Sequence, residues 1–284
     1  MKNRPYTEKS VTVNKRSIFA ILLIMMLSLM TISCTAKGEK GTAPSEQQEY
    51  IGIISAMDNE VELLLAEADI DHVDTFGGVE FHVGELSGQH VVISRSGIGK
   101  VLSASATSAM LNNYDISKVI FTGIAGGVGD DTKVLDEVVA TRLVQHDYGT
   151  MTNDGFVWTT GNTGETTGKD GYYFCDEELV QLAYNSAVQV MGDEHVFKGT
   201  IATGDQFIAS EEYVKKLQKD FDALACEMEG ASIAAVCTQY EKPFVVIRAM
   251  SDKADGNAPE SIENMGDIAA DNSSRIVIQM LSEM

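Results

Sequence analysis

The sequence predicts a three-layer α/β/α sandwich with a central mixed β-sheet. From residue 50 onward, short runs rich in Val and Ile alternate with segments in which apolar residues recur every three or four positions, a pattern typical of strands that alternate with helices. Most of the strand runs are continuously apolar, so we expect helices to cover both faces of the sheet. With 284 residues, 44% of them hydrophobic, the chain is long enough to bury a sizeable core.

The elements of the first half follow from local signals. Asp58 is the predicted N-cap of the first helix, because a short side-chain oxygen there can accept a backbone N–H. Ser87 and Gly88 predict a turn that joins two strands as a hairpin, and a glycine-rich segment, residues 123–129, follows the fourth strand. The strands are predicted at residues 50–55, 79–86, 90–94, 118–122 and 136–141, and the helices at 61–68 and 101–111.

The second half continues the alternation after an irregular segment. Residues 148–171 are rich in Gly, Thr and Asn and show no periodicity, which predicts a long loop of the kind that often serves as a lid or an interface. The later strands are predicted at residues 196–202, 223–227 and 244–249, and the helices at 177–191, 211–219, 230–240 and 262–284.

The first 34 residues have the order of a secretory signal. Lys15 and Arg16 precede a 15-residue apolar run at 18–32, shorter than the ~20 residues that cross a bilayer. Cys34 follows the small Ser33, so the segment resembles a bacterial lipoprotein signal, with Thr31 in place of the usual Leu. We therefore predict a signal peptide at 1–34, lipidation of Cys34, a flexible tether at 35–49 and an exported, membrane-anchored protein on a periplasmic or extracellular face. A short uncleaved anchor is the alternative.

Charge and cysteine content exclude several classes of function. The formal net charge is −21, and residues 35–284 carry 16 basic against 41 acidic groups, which repels a nucleic-acid backbone. The three later cysteines, Cys175, Cys226 and Cys237, predict buried free thiols instead of a disulfide framework. The chain has no paired Cys and His spacing for a metal, and no complete phosphate-loop, dinucleotide or serine-hydrolase motif.

Carboxylates stand at the ends of three predicted strands. Residues 58–60 follow the first strand, Glu227 and Glu229 precede a helix, and Asp252 ends the last strand. In α/β sheets, ligands bind outside the carboxyl ends of the strands. Taken singly, Glu60 and Glu229 could simply favour a helix N-terminus, and Asp252 could be a turn residue.

Six ordered motifs carry a resemblance over residues 50–284. They are IGIISAMDNE at 51–60, SGIGK at 96–100, TGIAGG at 122–127, TGDQFI at 203–208, EMEGA at 227–231 and RAMSD at 248–252. Together they closely resemble the 5'-methylthioadenosine/S-adenosylhomocysteine nucleosidases. The resemblance implies a single nucleosidase domain at 50–284 with a nucleoside phosphorylase-like fold, a homodimer, no cofactor and no metal. It also implies hydrolysis of an N-glycosidic bond in a small nucleoside, with release of adenine and a thioribose.

The same resemblance implies roles for individual residues. Asp252 would be the general acid at adenine N7, Glu60 would activate water, and Glu229 would accept the ribose hydroxyls. The implied substrate-binding residues are Met57 and Ile98 at the sugar and thioalkyl side, Phe207, Ile208 and Met228 at the purine and ribose, Arg248 at the ribose, Ser251 beside Asp252, and Ala125 and Gly126. Ile124 stands where many relatives carry a small polar residue.

Three alternatives stay open at this point. Related phosphorylases share the fold but need cations for phosphate, whereas this chain has acids at 58–60 and only Arg95 nearby, which favours water as the nucleophile. A purine-binding lipoprotein without activity is the second alternative. A nucleosidase for adenosine, inosine or futalosine is the third.

Overall fold

The computed structural model describes residues 48–159 and 169–284. The predicted signal peptide, its lipidation site Cys34 and nearly all of the predicted tether lie outside the described residues. No helix in these two ranges is both long enough and apolar enough to span a membrane.

Twelve strands and six α-helices make up the described part. The strands are β1 Tyr50–Ser55, β2 Asp69–Phe76, β3 Val79–Leu86, β4 Gln89–Arg95, β5 Ile116–Gly127, β6 Glu137–Gln145, β7 Gly149–Thr152, β8 Gly155–Trp158, β9 Tyr172–Phe174, β10 Val196–Thr203, β11 Ala223–Glu227 and β12 Phe244–Asp252. The helices are α1 Asp58–Glu67, α2 Lys100–Asn113, α3 Glu177–Met191, α4 Glu211–Phe221, α5 Gly230–Gln239 and α6 Ala258–Ser282.

Ten of these strands form one mixed sheet. Its order is β11-β10-β6-β12-β5-β1-β4-β3-β2, with β9 added beside β6. Strands β1, β4, β5 and β12 run parallel, so their carboxyl ends share one edge. Strand β11 pairs with β10 and also, antiparallel, with the end of β5, so that β5, β12, β6, β10 and β11 form a ring. Helices α1, α3 and α6 pack together, and α2 packs with α5. The predicted mixed sheet between helical layers is confirmed.

The core consists of the continuous apolar strand runs. Ile120 and Phe121 of β5 and Val245 and Val246 of β12 are completely buried between the helical layers. Burial of such side chains stabilises the fold by about 1.5–3 kcal/mol each. Cys175, Cys226 and Cys237 are buried and free, as predicted.

The first helix begins differently from the prediction. Asp58 is not the N-cap: Met57 occupies that position and Asp58 is the first helical residue. The Asp58 carboxylate instead pairs with Arg95 Nε at 2.9 Å. The carboxylate of Glu60 accepts the Met57 N–H and takes over the capping contact.

Three further stretches differ from the predicted pattern. Strand β2 was not predicted, because its sequence is polar and most of its residues are exposed at the sheet edge. Strand β5 continues through the glycine-rich segment to Gly127, where β12 and β11 supply its partners. The predicted loop at 148–171 contains the β7–β8 hairpin, and Trp158 of that hairpin donates its Nε1–H to the Gln145 carbonyl at 2.8 Å.

Candidate active site

A cavity of about 160 Å³ opens at the shared carboxyl edge of the sheet. Ten of the predicted site residues line it: Met57, Glu60, Ile98, Ala125, Gly126, Phe207, Met228, Glu229, Ser251 and Asp252. Ile208 lines a smaller adjoining pocket together with Phe207. Arg248 does not line the cavity but lies completely buried behind the carboxylates. The structure thus brings all twelve residues into one region, although they come from six separate motifs.

Glu60 is held in place by the backbone. Its Oε2 accepts the N–H groups of Ala56 and Met57, each at 2.8 Å, and its Oε1 accepts the Ile124 N–H at 2.8 Å. Burial raises the pKa of Glu60, and Arg248 and these three N–H groups offset part of the rise. Ile124 therefore contributes a backbone donor to the site, whichever side chain stands there.

Arg248 is the central cation of the site. Its Nη2 donates to Glu227 Oε2 at 2.6 Å and to Glu229 Oε2 at 3.2 Å, and its Nη1 lies 3.6 Å from Glu60 Oε1. The guanidinium also stacks 3.9 Å above the Phe121 ring. One buried positive charge thus holds three carboxylates.

A glycine makes this close approach possible. Gly123 has φ of +152°, and a Cβ atom there would overlap with both Glu60 Oε1 and Arg248 Nη1. Only a residue without a side chain leaves room for the ion pair.

Glu229 is a cavity-lining carboxyl with a strongly raised pKa. Its Oε1 accepts the Gly99 N–H at 2.7 Å. Burial and the neighbouring Glu227 raise the pKa of Glu229 to about 7, against the attraction of Arg248.

Glu227 was quoted in the sequence motif but not predicted as a site residue. It accepts the Thr203 hydroxyl, the Glu229 N–H at 3.0 Å and the Gly230 N–H at 2.7 Å. These contacts place Glu227 at the N-terminus of α5, where the helix dipole favours a negative charge. The signal in the sequence was its position at the end of β11, two residues before Glu229.

Asp252 lines the same cavity and stands at the end of β12. Its Oδ2 accepts the Ser251 hydroxyl at 2.7 Å and its Oδ1 accepts the Ala254 N–H at 2.7 Å. Burial raises the pKa of Asp252, and the two hydrogen bonds only partly oppose that effect. A raised pKa favours the protonated form, which is the form that a general acid needs.

The mouth of the cavity is apolar. The side chains of Ile98 and Phe207 are about half exposed, at 53% and 51%, and both line the opening. Apolar groups here exclude water from a bound ligand and strengthen the electrostatic contacts behind it. The described ranges contain no group of three or more His, Cys, Asp or Glu residues arranged to hold a metal.

Glu137 is a buried carboxyl that the sequence analysis did not anticipate. It is fully buried at the start of β6, and neither oxygen makes a hydrogen bond of normal geometry to the described residues. Burial raises the pKa of Glu137 well above the ordinary carboxyl value, and Arg248 and the nearby Ser273 hydroxyl offset only part of this. Burial of the Glu137 carboxyl therefore lowers the stability of the folded protein.

Glu137→Gln is expected to stabilise the protein at pH 8 by an amount on the order of 1–3 kcal/mol. A carboxyl whose pKa is higher in the folded state than in the unfolded state favours folding at low pH, and this contribution is lost as the pH rises. The gain from the substitution should therefore grow from pH 5 to pH 8 and vanish near pH 4. Urea unfolding measures it, with the exposed Glu62→Gln as control; equal effects of the two substitutions would contradict the prediction.

Comparison with known proteins agrees with this geometry. Residues 50–282 match the family model of the phosphorylase superfamily. Over 235 residues the chain is 36% identical to the 5'-methylthioadenosine/S-adenosylhomocysteine nucleosidase of Shewanella denitrificans, a match that covers 82% of this chain and 99% of the relative. The chain belongs to this nucleosidase family.

Solved structures of the nucleosidase family and its neighbours share the fold. The Neisseria meningitidis nucleosidase in complex with methylthio-immucillin-A has a TM-score of 0.75 and 36% identity, covering 83% of this chain and 99% of that one. The futalosine hydrolase of Helicobacter pylori has a TM-score of 0.72 and 34% identity, covering 84% and 98%. The predicted nucleosidase family and the nucleoside phosphorylase-like fold are both confirmed.

Proposed function

We propose that this chain hydrolyses the N-glycosidic bond of 5'-methylthioadenosine and S-adenosylhomocysteine, releasing adenine and the thioribose product. The observation that carries the proposal is the convergence of Glu60, Glu229 and Asp252 on one largely apolar cavity. Membership of the nucleosidase family supports the substrate class. The geometry of the cavity supports the roles that the resemblance implies for individual residues.

Asp252 is the general acid. Adenine is a poor leaving group as an anion, so protonation of its N7 as the bond breaks lowers the barrier. A positioned acid typically contributes about 10²–10⁴-fold. Burial shifts Asp252 toward its protonated form by raising its pKa, and the Ser251 hydroxyl orients the carboxyl.

Glu60 is the base that activates water, and Glu229 binds the ribose. Three backbone N–H groups fix the Glu60 carboxylate, and Arg248 favours its ionised form. Glu229 presents carboxylate oxygens to the sugar hydroxyls while Gly99 and Arg248 hold it from behind. Acid and base thus lie on different strand ends around the same cavity, as a displacement at the ribosyl carbon requires.

Water suits this site better than phosphate. Acids line the cavity, and the guanidinium of Arg248 is already paired with carboxylates. Arg95 pairs with Asp58 and is not among the residues that line the cavity. A phosphate dianion would meet negative charge and, among the described residues that line the cavity, no cation, so hydrolysis is favoured over phosphorolysis.

The test is adenine release by the purified chain. We expect turnover of 5'-methylthioadenosine and S-adenosylhomocysteine at a rate that added phosphate does not raise. Adenosine, inosine and futalosine complete the panel, since the similarity to a futalosine hydrolase makes futalosine the second candidate substrate. Absence of turnover at high enzyme concentration, with retained adenine binding, would favour a purine-binding lipoprotein.

For location, we propose an exported protein anchored by lipid at Cys34, with residues 35–49 as the tether. The basic segment, the short apolar run and the Ser33-Cys34 junction support this. Incorporation of labelled palmitate should be lost in Cys34→Ala. Persistent labelling would exclude Cys34 as the anchor.

For assembly, we propose a homodimer formed by the face around the cavity mouth. Apolar side chains are exposed there: Ile98 at 53%, Val101 at 77% and Leu102 at 53%. A patch of this kind is typical of a surface that another protein covers. Sedimentation should give a dimer for the natural chain and a monomer for Val101→Glu; a monomeric natural chain would contradict the proposal.

A further inference from the structure

Two charged residues of the sequence motifs have no role in the cavity itself. Lys100 and Asp205 are not among the residues that line it. They instead meet Asp147, which directly follows His146 after the end of β6. Lys100 Nζ donates to Asp147 Oδ1 at 2.7 Å, and the Asp205 N–H donates to Asp147 Oδ2 at 2.9 Å.

This cluster joins a helix N-terminus and two loops. The Lys100 N–H donates to Asp205 Oδ1 at 2.8 Å, and Lys100 Nζ lies 4.0 Å from Asp205 Oδ2. The start of α2, the loop after β6 and the loop after β10 are therefore linked by one lysine and two aspartates. Gly99 lies beside the cluster with φ of +96°, a conformation that favours glycine. A Cβ atom at this position would lie 3.1 Å from Asp205 Oδ1, which is a tight contact.

The cluster is connected to the cavity through Gly99 and through the loop that contains Asp205. The Gly99 N–H, one residue before Lys100, donates to Glu229 Oε1 at 2.7 Å. Asp205 lies two residues before Phe207 in the loop that forms the cavity wall. A shift of Lys100 or Asp147 would thus move the donor to Glu229 and the wall together.

The Lys100–Asp147 pair is the sheltered part of the cluster, whereas the Asp205 side chain is 48% exposed. The side chains of Lys100 and Asp147 are only 18% and 13% exposed, so water competes less for their contact than it does for a surface pair. Burial alone would raise the pKa of Asp147, but the contacts from Lys100 and the Asp205 N–H bring it below its ordinary value. Asp147 is therefore ionised at neutral pH and pairs with the Lys100 ammonium.

We propose that Lys100, Asp147 and Asp205 form a clamp that positions Glu229 and the Phe207 loop for binding of the nucleoside. The proposal rests on the proposed function, since it assumes that Glu229 and Phe207 contact the substrate. The three clamp residues are positioning residues, because they act through Gly99 and the loop and not through the cavity.

Lys100→Met is expected to lower kcat/KM for 5'-methylthioadenosine by about 10- to 100-fold, the usual cost of a displaced site group. Lys100→Arg should recover most of this loss, because it keeps the charge toward Asp147. Lys219→Met, which removes an exposed lysine on α4, is the matched control and should behave as the natural protein. Circular dichroism and thermal unfolding show whether each variant folds, and Asp147→Asn serves as a second variant if Lys100→Met does not.

Double-mutant cycles separate positioning from a general structural effect. In a Glu229→Gln or a Phe207→Ala background, Lys100→Met should cost less than it does alone, because the group that it positions is already lost. Unchanged kinetics of Lys100→Met, or a full multiplicative loss in both backgrounds, would overturn the clamp. Inactivity of the natural chain toward every nucleoside would instead count against the proposed function, so the two failures are distinguishable.

Discussion

Asp252→Asn is expected to lower turnover of 5'-methylthioadenosine by about 10²–10⁴-fold, because the variant cannot transfer a proton to the leaving base. Asparagine keeps the size of the side chain, so the fold and the cavity should persist. Its single carbonyl oxygen can keep only part of the contacts with Ser251 and Ala254. Adenine release measured under single-turnover conditions isolates the chemical step.

The control for this experiment is Asp271→Asn, which changes an exposed aspartate on α6. Its rate should equal that of the natural protein. Asp252→Asn should still bind an adenine nucleoside or a transition-state mimic, since binding does not require the proton. A rate near that of the natural protein would refute Asp252 as the acid, whereas loss of binding as well would indicate a misfolded cavity.

Arg248→Met is expected to destabilise the protein by about 3–5 kcal/mol at neutral pH and to abolish turnover, because it leaves buried carboxylates without their cation. Glu60, Glu227 and Glu229 all face this guanidinium. Without it the pKa values of Glu60 and Glu229, which burial already raises, rise further in the folded state. Urea unfolding at several pH values measures the effect.

The sign of the pH dependence is a separate check. Carboxyls whose pKa is higher in the folded state stabilise the fold below their unfolded pKa and lose that contribution as the pH rises. The deficit of Arg248→Met should therefore be larger at pH 8 than at pH 5. Arg275→Met, at an exposed position of α6, should show no such dependence; a deficit independent of pH would contradict the role of Arg248 as counter-charge.

The sequence was a good guide wherever the signal was local. The core strands appear as continuous Val and Ile runs, and their predicted positions agree with the structure to within a few residues. The site residues could be predicted as a group because six ordered motifs resemble those of the nucleosidase family, and the carboxylates among them stand at strand ends that share one edge. The polar edge strand β2 has no continuous apolar run. It forms because β3 offers a pairing partner, which its own residues do not reveal.

Contacts between distant segments could not be predicted from local patterns. Glu227 is positioned by its hydrogen bonds with Thr203 and Arg248, and Asp147 by its hydrogen bonds with Lys100 and Asp205. Each of these side chains has an ordinary surface explanation when the sequence alone is considered. Glu137 is the extreme example, because a glutamate at the start of a strand gives no warning that the helix α6 will bury it.

The ring of strands closed by β11 has a consequence for how the protein opens to solvent. Each strand of that ring is hydrogen-bonded to a neighbouring strand on both sides. None of them can therefore separate without breaking backbone hydrogen bonds to two strands. Amide hydrogens of β5 and β12 beside the cavity should therefore exchange with deuterium only when the whole domain unfolds. The exposed strand β2 should exchange first, so the protein can loosen at its far edge while the strands that line the cavity stay rigid.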